Sequence, residues 1–272
     1  MELVRRGLVA SREQARAEIE EGRVLVSGAP ASKPSRLVSA AEPIRITGPR
    51  PRFVSRGGEK LDAALEHFGI DVTGWRVLDA GASTGGFTDC LLQRGASRVV
   101  ALDVGYGQLH DRLRRDPRVQ VVERTNLRHV EPAALDAPFD AVVADLSFIS
   151  LRTVAGELLS LAAPGGTLVL LVKPQFEAGR EEATRGRGVI REPGIWQRVL
   201  EEVVAVFEHR GAIIMGLMVS PLPGSDGNVE FLLWLRAPSD GGCRSASGAA
   251  RDVVTRIDVE RVVVEASRMR SG

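Results

Sequence analysis

The stretch Arg76 to Asp89, RVLDAGASTGGFTD, constrains this chain more than any other. Arg76 to Asp79 has the apolar, β-branched character of a buried strand, glycines follow at 81, 85 and 86, and Phe87 to Gln93 resumes a helical pattern. A strand, a glycine turn and a helix start let a ligand approach the backbone closely and meet the free N–H groups of the new helix. The spacing G-x-x-x-G-G puts Ser83 where dinucleotide-binding turns carry the glycine that admits a pyrophosphate. A nucleoside ligand without a pyrophosphate suits such a turn. A purely structural turn is the alternative.

Around this stretch, strands and helices alternate. Strands are expected at SRVVALDV, VQVVERTN, FDAVVADLSF, TLVLLVKPQF, AIIMGLMVS and NVEFLLWLR, and helices at YGQLHDRLRRD, LRTVAGELLSLAA and IWQRVLEEVVAVFEHRG. Upstream, SRGGEKLDAALEHFGI predicts a helix with Leu61, Ala64, Leu65 and Phe68 on one face. The order predicts an α/β fold: a mostly parallel, seven-stranded, Rossmann-like sheet with helices on both faces and one antiparallel edge, as in class I methyltransferases. Ligands of such sheets bind beyond the carboxyl ends of the strands. No stretch approaches the roughly 18 apolar residues of a membrane span, and the amino terminus is charged, so a cytoplasmic protein is expected. Cys90, Cys243 and four dispersed histidines make no ligand spacing, and no metal is expected.

Charge is uneven. Met1 to Lys60 carries 12 Lys or Arg against 7 Asp or Glu, leaving −4 for the rest of a chain whose formal net charge is +1. The basic end is the expected nucleic-acid contact, and a merely solvated basic surface is the alternative. Met1 to Val26 reads as two short helices and a strand, with Ser11 as an N-cap, Gly22 closing the second helix, and Leu8, Ala15 and Ile19 facing inward. Arg5, Arg6, Arg12, Arg16 and Arg23 then lie outside, in an arrangement that can grip phosphates. Gly7, Leu8, Ser11, Arg12, Ala15, Ile19, Gly22, Val24, Val26 and Gly28 together resemble the alpha-L RNA-binding motif of S4-like domains. The expected organisation is an S4-like domain over 1–47, a Pro-interrupted linker over 48–54, a catalytic domain over 55–237, and a low-complexity tail over 238–272 with a helical end and no assigned role.

At the strand ends, charged residues gather. Asp103 closes the second strand, where an acid accepts ribose hydroxyls. Asn126 ends the next strand, either to meet an adenine edge or to form a turn. Asp145 and Lys173 close the fourth and fifth strands, and Glu230 sits among apolar residues of the last. Lys60 stands in the first turn of its helix, where the helix dipole does nothing to favour a cation. Two lysines and two acids pointing at one region suit removal of a proton from a hydroxyl, as methyl transfer to a ribose 2′-oxygen requires. S-adenosylmethionine is a nucleoside ligand without a pyrophosphate that supplies such a methyl. Base amino-group methylation commonly uses an Asn/Asp-Pro-Pro-aromatic tetrapeptide where this chain reads DLSF, and no cysteine nucleophile lies near the strand ends.

The segments SRGGEKL, LDAGASTGGFTD, DVGYGQL, ERTN, ADLSFISL, VKPQFE and SPLPGSDGNVEFLLWL resemble the TlyA, or hemolysin A-like, family of rRNA 2′-O-methyltransferases within the FtsJ-type superfamily. The linker's PRFV has Phe53 where some members carry Trp. The resemblance implies a Lys-Asp-Lys-Glu catalytic tetrad at Lys60, Asp145, Lys173 and Glu230. It also implies S-adenosylmethionine held by Asp79, Gly81, Ser83, Thr84, Gly85, Gly86, Phe87, Asp103, Val104, Asn126 and Asp145. Cytidines of ribosomal RNA within ribosomal subunits are the implied target, in the large-subunit RNA only or in both subunits. Arg56 joins the five amino-terminal arginines as an expected RNA contact, a monomer is the expected state, and Glu177 to Pro193, with Arg180, Arg185, Arg187 and Arg191, is expected to be a mobile loop closing over RNA, with a solvated charged loop as the alternative. The rival readings are an assembly factor with an inactive methyltransferase domain and a membrane-active hemolysin.

Overall fold

The structure, a computed structural model, describes residues 2–239 apart from 10, 11, 21, 32, 49, 50, 187, 225 and 226, together with 259–271. Ser11, Arg187 and Cys243 lie outside the described residues, as do the side chains of Arg180 and Arg185.

The amino-terminal elements are α1 (Glu2–Arg5), α2 (Arg12–Glu20), β1 (Val24–Val26), β2 (Ala29–Pro30) and β3 (Ile44–Ile46). Their strands pair antiparallel in the order β2-β1-β3. Leu3, Val9, Ala15, Val24, Val26 and Ala31 form a small core of their own. Leu8, expected inside, is exposed, and Leu3 and Val9 take its place.

Then follow α3 (Gly57–His67), β4 (Arg76–Ala80), α4 (Gly86–Gln93), β5 (Arg98–Leu102), α5 (Asp111–Arg114), β6 (Val119–Val122), β7 (Phe139–Ala144), α6 (Ala155–Leu161), β8 (Ala162–Val172), α7 (Pro174–Glu177), α8 (Arg180–Arg185), α9 (Pro193–His209), β9 (Ile213–Val219), β10 (Phe231–Arg236) and α10 (Val259–Ser271). The seven strands run in the order β6-β5-β4-β7-β8-β10-β9. β10 is antiparallel to both its neighbours. The antiparallel strand is therefore one place in from the edge, not at the edge as the hairpin reading implied.

Period-2 alternation splits the sheet's side chains between two cores. Leu78, Val100, Val142, Leu168, Leu170 and Leu233 face α6, α9 and α10. Val77, Val99, Ala141, Val143, Val169 and Leu232 face α3 and α4. The chain leaves β4 toward β5 and β6 on one side and later crosses to β7 on the other. The carboxyl ends of β4 and β7 thus flank the crevice where such sheets bind ligands.

One further expectation changes, and two segments carry more structure than the sequence suggested. The helix expected from Tyr106 is only Asp111–Arg114, because the Gly105 and Gly107 amides are taken by the carboxylates of Asp103 and Glu123, and His110 caps the helix late. The 177–193 loop holds α8 and buried Ile190, whose backbone N–H donates to Asn228 and whose carbonyl accepts from Trp196. In the carboxyl-terminal segment, α10 buries Val262, Val263 and Ala266 in the larger core. No helix among the described residues is long and apolar enough to cross a membrane.

Candidate active site at the strand carboxyl ends

The turn after β4 is built from residues that leave no room for side chains. At Gly81, with φ +85°, a Cβ would lie 2.6 Å from the Asp145 carbonyl oxygen. At Gly85, with φ +97°, it would strike Leu113 at 2.3 Å, and at Gly86 it would meet the Gly58 amide at 2.8 Å. Ser83 adopts φ +46° without being glycine. Its N–H donates to Asp103 Oδ2 at 2.8 Å while the Gly105 N–H donates to Oδ1 at 2.6 Å. Each Asp103 oxygen keeps a second acceptor position. Thr84 lies in the turn and Val104 is exposed at the rim beyond Asp103. Phe87 turns its ring into the core, leaving its backbone N–H in the first turn of α4. Asn126 caps a short turn, its Oδ1 accepting from Arg128 N at 3.0 Å, so its side-chain carbonyl serves the turn.

Asp79 is fully buried beneath the turn. Thr88 Oγ1 donates to its Oδ2 at 2.6 Å, and Oδ1 has no partner among the described residues. A cradle closed to Cβ atoms, lying over buried Asp79 and rimmed by Asp103 and Asp145, fits a nucleoside ligand carrying sulfonium and ammonium charge, which is the chemistry of S-adenosylmethionine. Burial, reinforced by the charges of Asp145 and Asp103, pushes the Asp79 carboxyl from its ordinary 3.8 up to about 7. The folded protein therefore holds this proton more tightly than the unfolded chain does, so the group's contribution to stability is complete below about pH 4 and is lost as pH rises to about 7. Asp79→Asn should remove that slope. In urea titrations, the unfolding free energy of wild type minus that of the variant is expected to fall between pH 4 and 7 and then level off; parallel curves would contradict this assignment.

The four charged residues form two ion pairs. Lys60 Nζ lies 2.5 Å from Glu230 Oε2, both side chains buried. This buried acid accounts for a lysine at a helix start, since a buried charge needs a partner. Lys173 Nζ lies 2.5 Å from Asp145 Oδ1, in a contact too oblique for a hydrogen bond, and donates to Ser147 Oγ at 3.1 Å. The pairs are neighbours. A Cβ at Gly57, opening α3, would sit 3.8 Å from Asp145 Oδ2, and Gln175 Nε2, two residues beyond Lys173, donates to Glu230 Oε1 at 3.4 Å. Glu230 itself precedes β10 and does not lie within it.

Sequence reasoning did not single out Gln175, Ser147 or Gly224, where a Cβ would come 2.1 Å from Glu230 Oε1. Their signal was their place inside VKPQFE, ADLSFISL and SPLPGSDG. It also missed Phe148, which is 91% exposed, has φ +65°, and lies with its ring 5.1 Å from that of Phe176. Cys90 is buried against the sheet, which pushes its thiol up to about 12 and leaves it no role as a nucleophile.

The arginines divide. Arg5 and Arg6 pair with Glu2, and Arg6 also donates to the carbonyls of Glu42 and Ser39. Arg23 pairs with buried Glu18 at 2.7 Å. Arg6 and Arg23 thus pin the small domain together, where the sequence suggested outward phosphate contacts. Arg12, Arg16 and Arg56 are exposed.

Family models place this geometry. The FtsJ-like methyltransferase family matches residues 53–237, and the S4 domain matches residues 2–44. The Mycobacterium tuberculosis 16S/23S rRNA (cytidine-2′-O)-methyltransferase TlyA is 51% identical over 88% of this chain and 89% of its own length. The Campylobacter jejuni 23S rRNA (cytidine-2′-O)-methyltransferase TlyA is 33% identical over 67% of this chain and 70% of its own. A solved structure from Streptococcus thermophilus, named as a hemolysin, superposes with a TM-score of 0.77 at 38% identity, covering 99% of this chain and 94% of that one. With a matching sheet, glycine turn and amino-terminal S4 domain, the chain belongs to the TlyA family of FtsJ-like methyltransferases.

Proposed function

We propose that this protein transfers a methyl group from S-adenosylmethionine to the 2′-hydroxyl of a cytidine in ribosomal RNA. The observation that carries the reading is the pairing of Lys173 with Asp145 and of Lys60 with Glu230 beside the glycine turn. Methylation of a base amino group or ring carbon calls for no such set.

When bound, S-adenosylmethionine supplies an electrophilic methyl group. Gly81, Ser83, Gly85 and Gly86 shape its seat over buried Asp79, Asp103 meets the ribose, and Asp145 faces its positive charge. Lys173 takes the proton of the ribose hydroxyl. Asp145 and Ser147 aim its Nζ and steady the ammonium that results. Lys60, locked to Glu230, adds a fixed positive charge near the oxygen that loses its proton. The exposed ring of Phe148 offers a surface on which an unstacked base can lie.

Mass spectrometry of nucleosides from subunits incubated with the protein and S-adenosylmethionine should show 2′-O-methylcytidine. A methylated base in its place would refute the reading. RNA docking is assigned to the small domain and to Arg56. Arg12→Ala is expected to lower the slope of log affinity against log salt by about 1, as loss of one phosphate contact does, with the affinity for S-adenosylmethionine unchanged. An unaltered salt slope would remove Arg12 from the RNA contact.

A further inference from the structure

Lys173 and Asp145 each stand one residue beyond a core strand, β8 and β7, at the start of a segment with little structure of its own. Lys173 caps α7, a single helical turn held internally by the Ala178 amide donating to the Pro174 carbonyl. One turn of helix is not stable alone. Asp145 opens an irregular stretch that includes Phe148 at φ +65° and ends in a short turn at Leu151–Thr153.

Behind the ion pair, the two segments are braced through Glu177, which is 2% exposed. Its Oε1 accepts from Leu151 N at 2.6 Å, and its Oε2 accepts from Ser150 Oγ at 2.5 Å and from Arg152 Nε at 3.2 Å. The Glu177 carbonyl accepts from Arg152 Nη2 at 2.5 Å, and Arg152 reaches on to Glu202 of α9. In front, Lys173 holds Asp145 and Ser147, and between front and back the rings of Phe148 and Phe176 touch. The carboxylate accepts three hydrogen bonds, all from the opposite segment.

We propose that Glu177 is a positioning residue for methyl transfer: by tying the Lys173 turn to the Asp145 loop, it sets where the base stands relative to the ribose hydroxyl. This rests on the assignment of Lys173 as base. The glycine turn that seats the methyl donor lies after β4 and has no part in the brace, and Asp145, which faces the donor, is held to β4 by its own N–H on the Ala80 carbonyl at 3.0 Å, so loss of Glu177 should displace the base without unseating the donor. Reacting groups lose about 10²-fold in rate when misplaced by about 1 Å.

The test is steady-state kinetics on ribosomal subunits with Glu177→Gln and Ser150→Ala, alongside calorimetric titration with S-adenosylmethionine. Glu177→Gln keeps the size of the side chain but sets an amide N–H against one of its donors. Its kcat is expected to fall about 10- to 100-fold, with KM and the donor Kd within about twofold of wild type, the signature of a loss confined to the transition state. Ser150→Ala, which removes one of the three bonds to the carboxylate together with the Ser150 Oγ cap on Arg152 N, leaves Glu177 charged and its other two bonds in place, and should show the same split with a smaller fall. A folded Glu177→Gln protein with wild-type kcat would overturn the proposal, as would equal losses of kcat and donor affinity in both variants. Wild-type protein that forms no ribose methyl group would instead overturn the parent reading.

Discussion

Lys173→Ala is expected to abolish methyl incorporation into ribosomal subunits, a loss of about 10²- to 10⁴-fold, the range that general bases contribute. Binding of S-adenosylmethionine should persist, because the seat proposed for the donor is the turn after β4 with Asp103, and Lys173 lies across the crevice on the turn after β8. The fold should persist as well. The Asp145 side chain is 24% exposed against 3% for Glu230, so removing the Lys173 amine leaves a carboxylate at the edge of solvent and not one sealed in the core. Unchanged incorporation by the variant would leave the chain an RNA-binding assembly factor whose methyltransferase fold is idle.

Lys60→Met has a different expected result: it should cost stability as well as activity. Glu230 is 3% exposed and sits against Gly224, with its Oε2 held by Lys60 alone among the described residues. Removing one partner of a buried ion pair typically costs about 3–5 kcal/mol, because the other charge is left uncompensated. Replacing both partners by apolar residues is often neutral. Lys60→Met with Glu230→Leu should therefore recover most of the stability lost by Lys60→Met and none of the activity. Denaturant titration and methyl-transfer assays on the same preparations check both halves. A double variant as unstable as the single one would mean that the pair does more for the fold than balance its own charges.

The contrast between these lysines shows what the sequence could carry. That both would stand at the carboxyl end of the sheet was legible, because apolar runs of period 2 marked each strand and Lys173 ends one of them. Which acid each would hold was not. The Lys60–Glu230 pair depends on α3 packing over the sheet and on β10 inserting between β8 and β9, contacts that join residues 170 positions apart. The glycine turn was legible because positive φ and close approach leave few alternatives to glycine. The late start of α5 was not, since it follows from Asp103 and Glu123 drawing nearby amides out of helical bonding. Arg6 and Arg23 read as outward cations because their partners, Glu2, Glu42 and Glu18, are fixed only by the fold of the small domain. The helical end of the tail was legible, but nothing local to that segment said that Val262, Val263 and Ala266 pack into the larger core with α9 and β9.

The central claim, ribose methylation by the Lys173 site, is tested most directly by reverse transcription at limiting deoxynucleotide on both ribosomal RNAs. The templates come from subunits incubated with S-adenosylmethionine and either wild type or Lys173→Ala. Wild type is predicted to give donor-dependent pauses at discrete cytidines that are absent with the variant. Donor-dependent methylation without such pauses, or pauses that survive in Lys173→Ala, would contradict it.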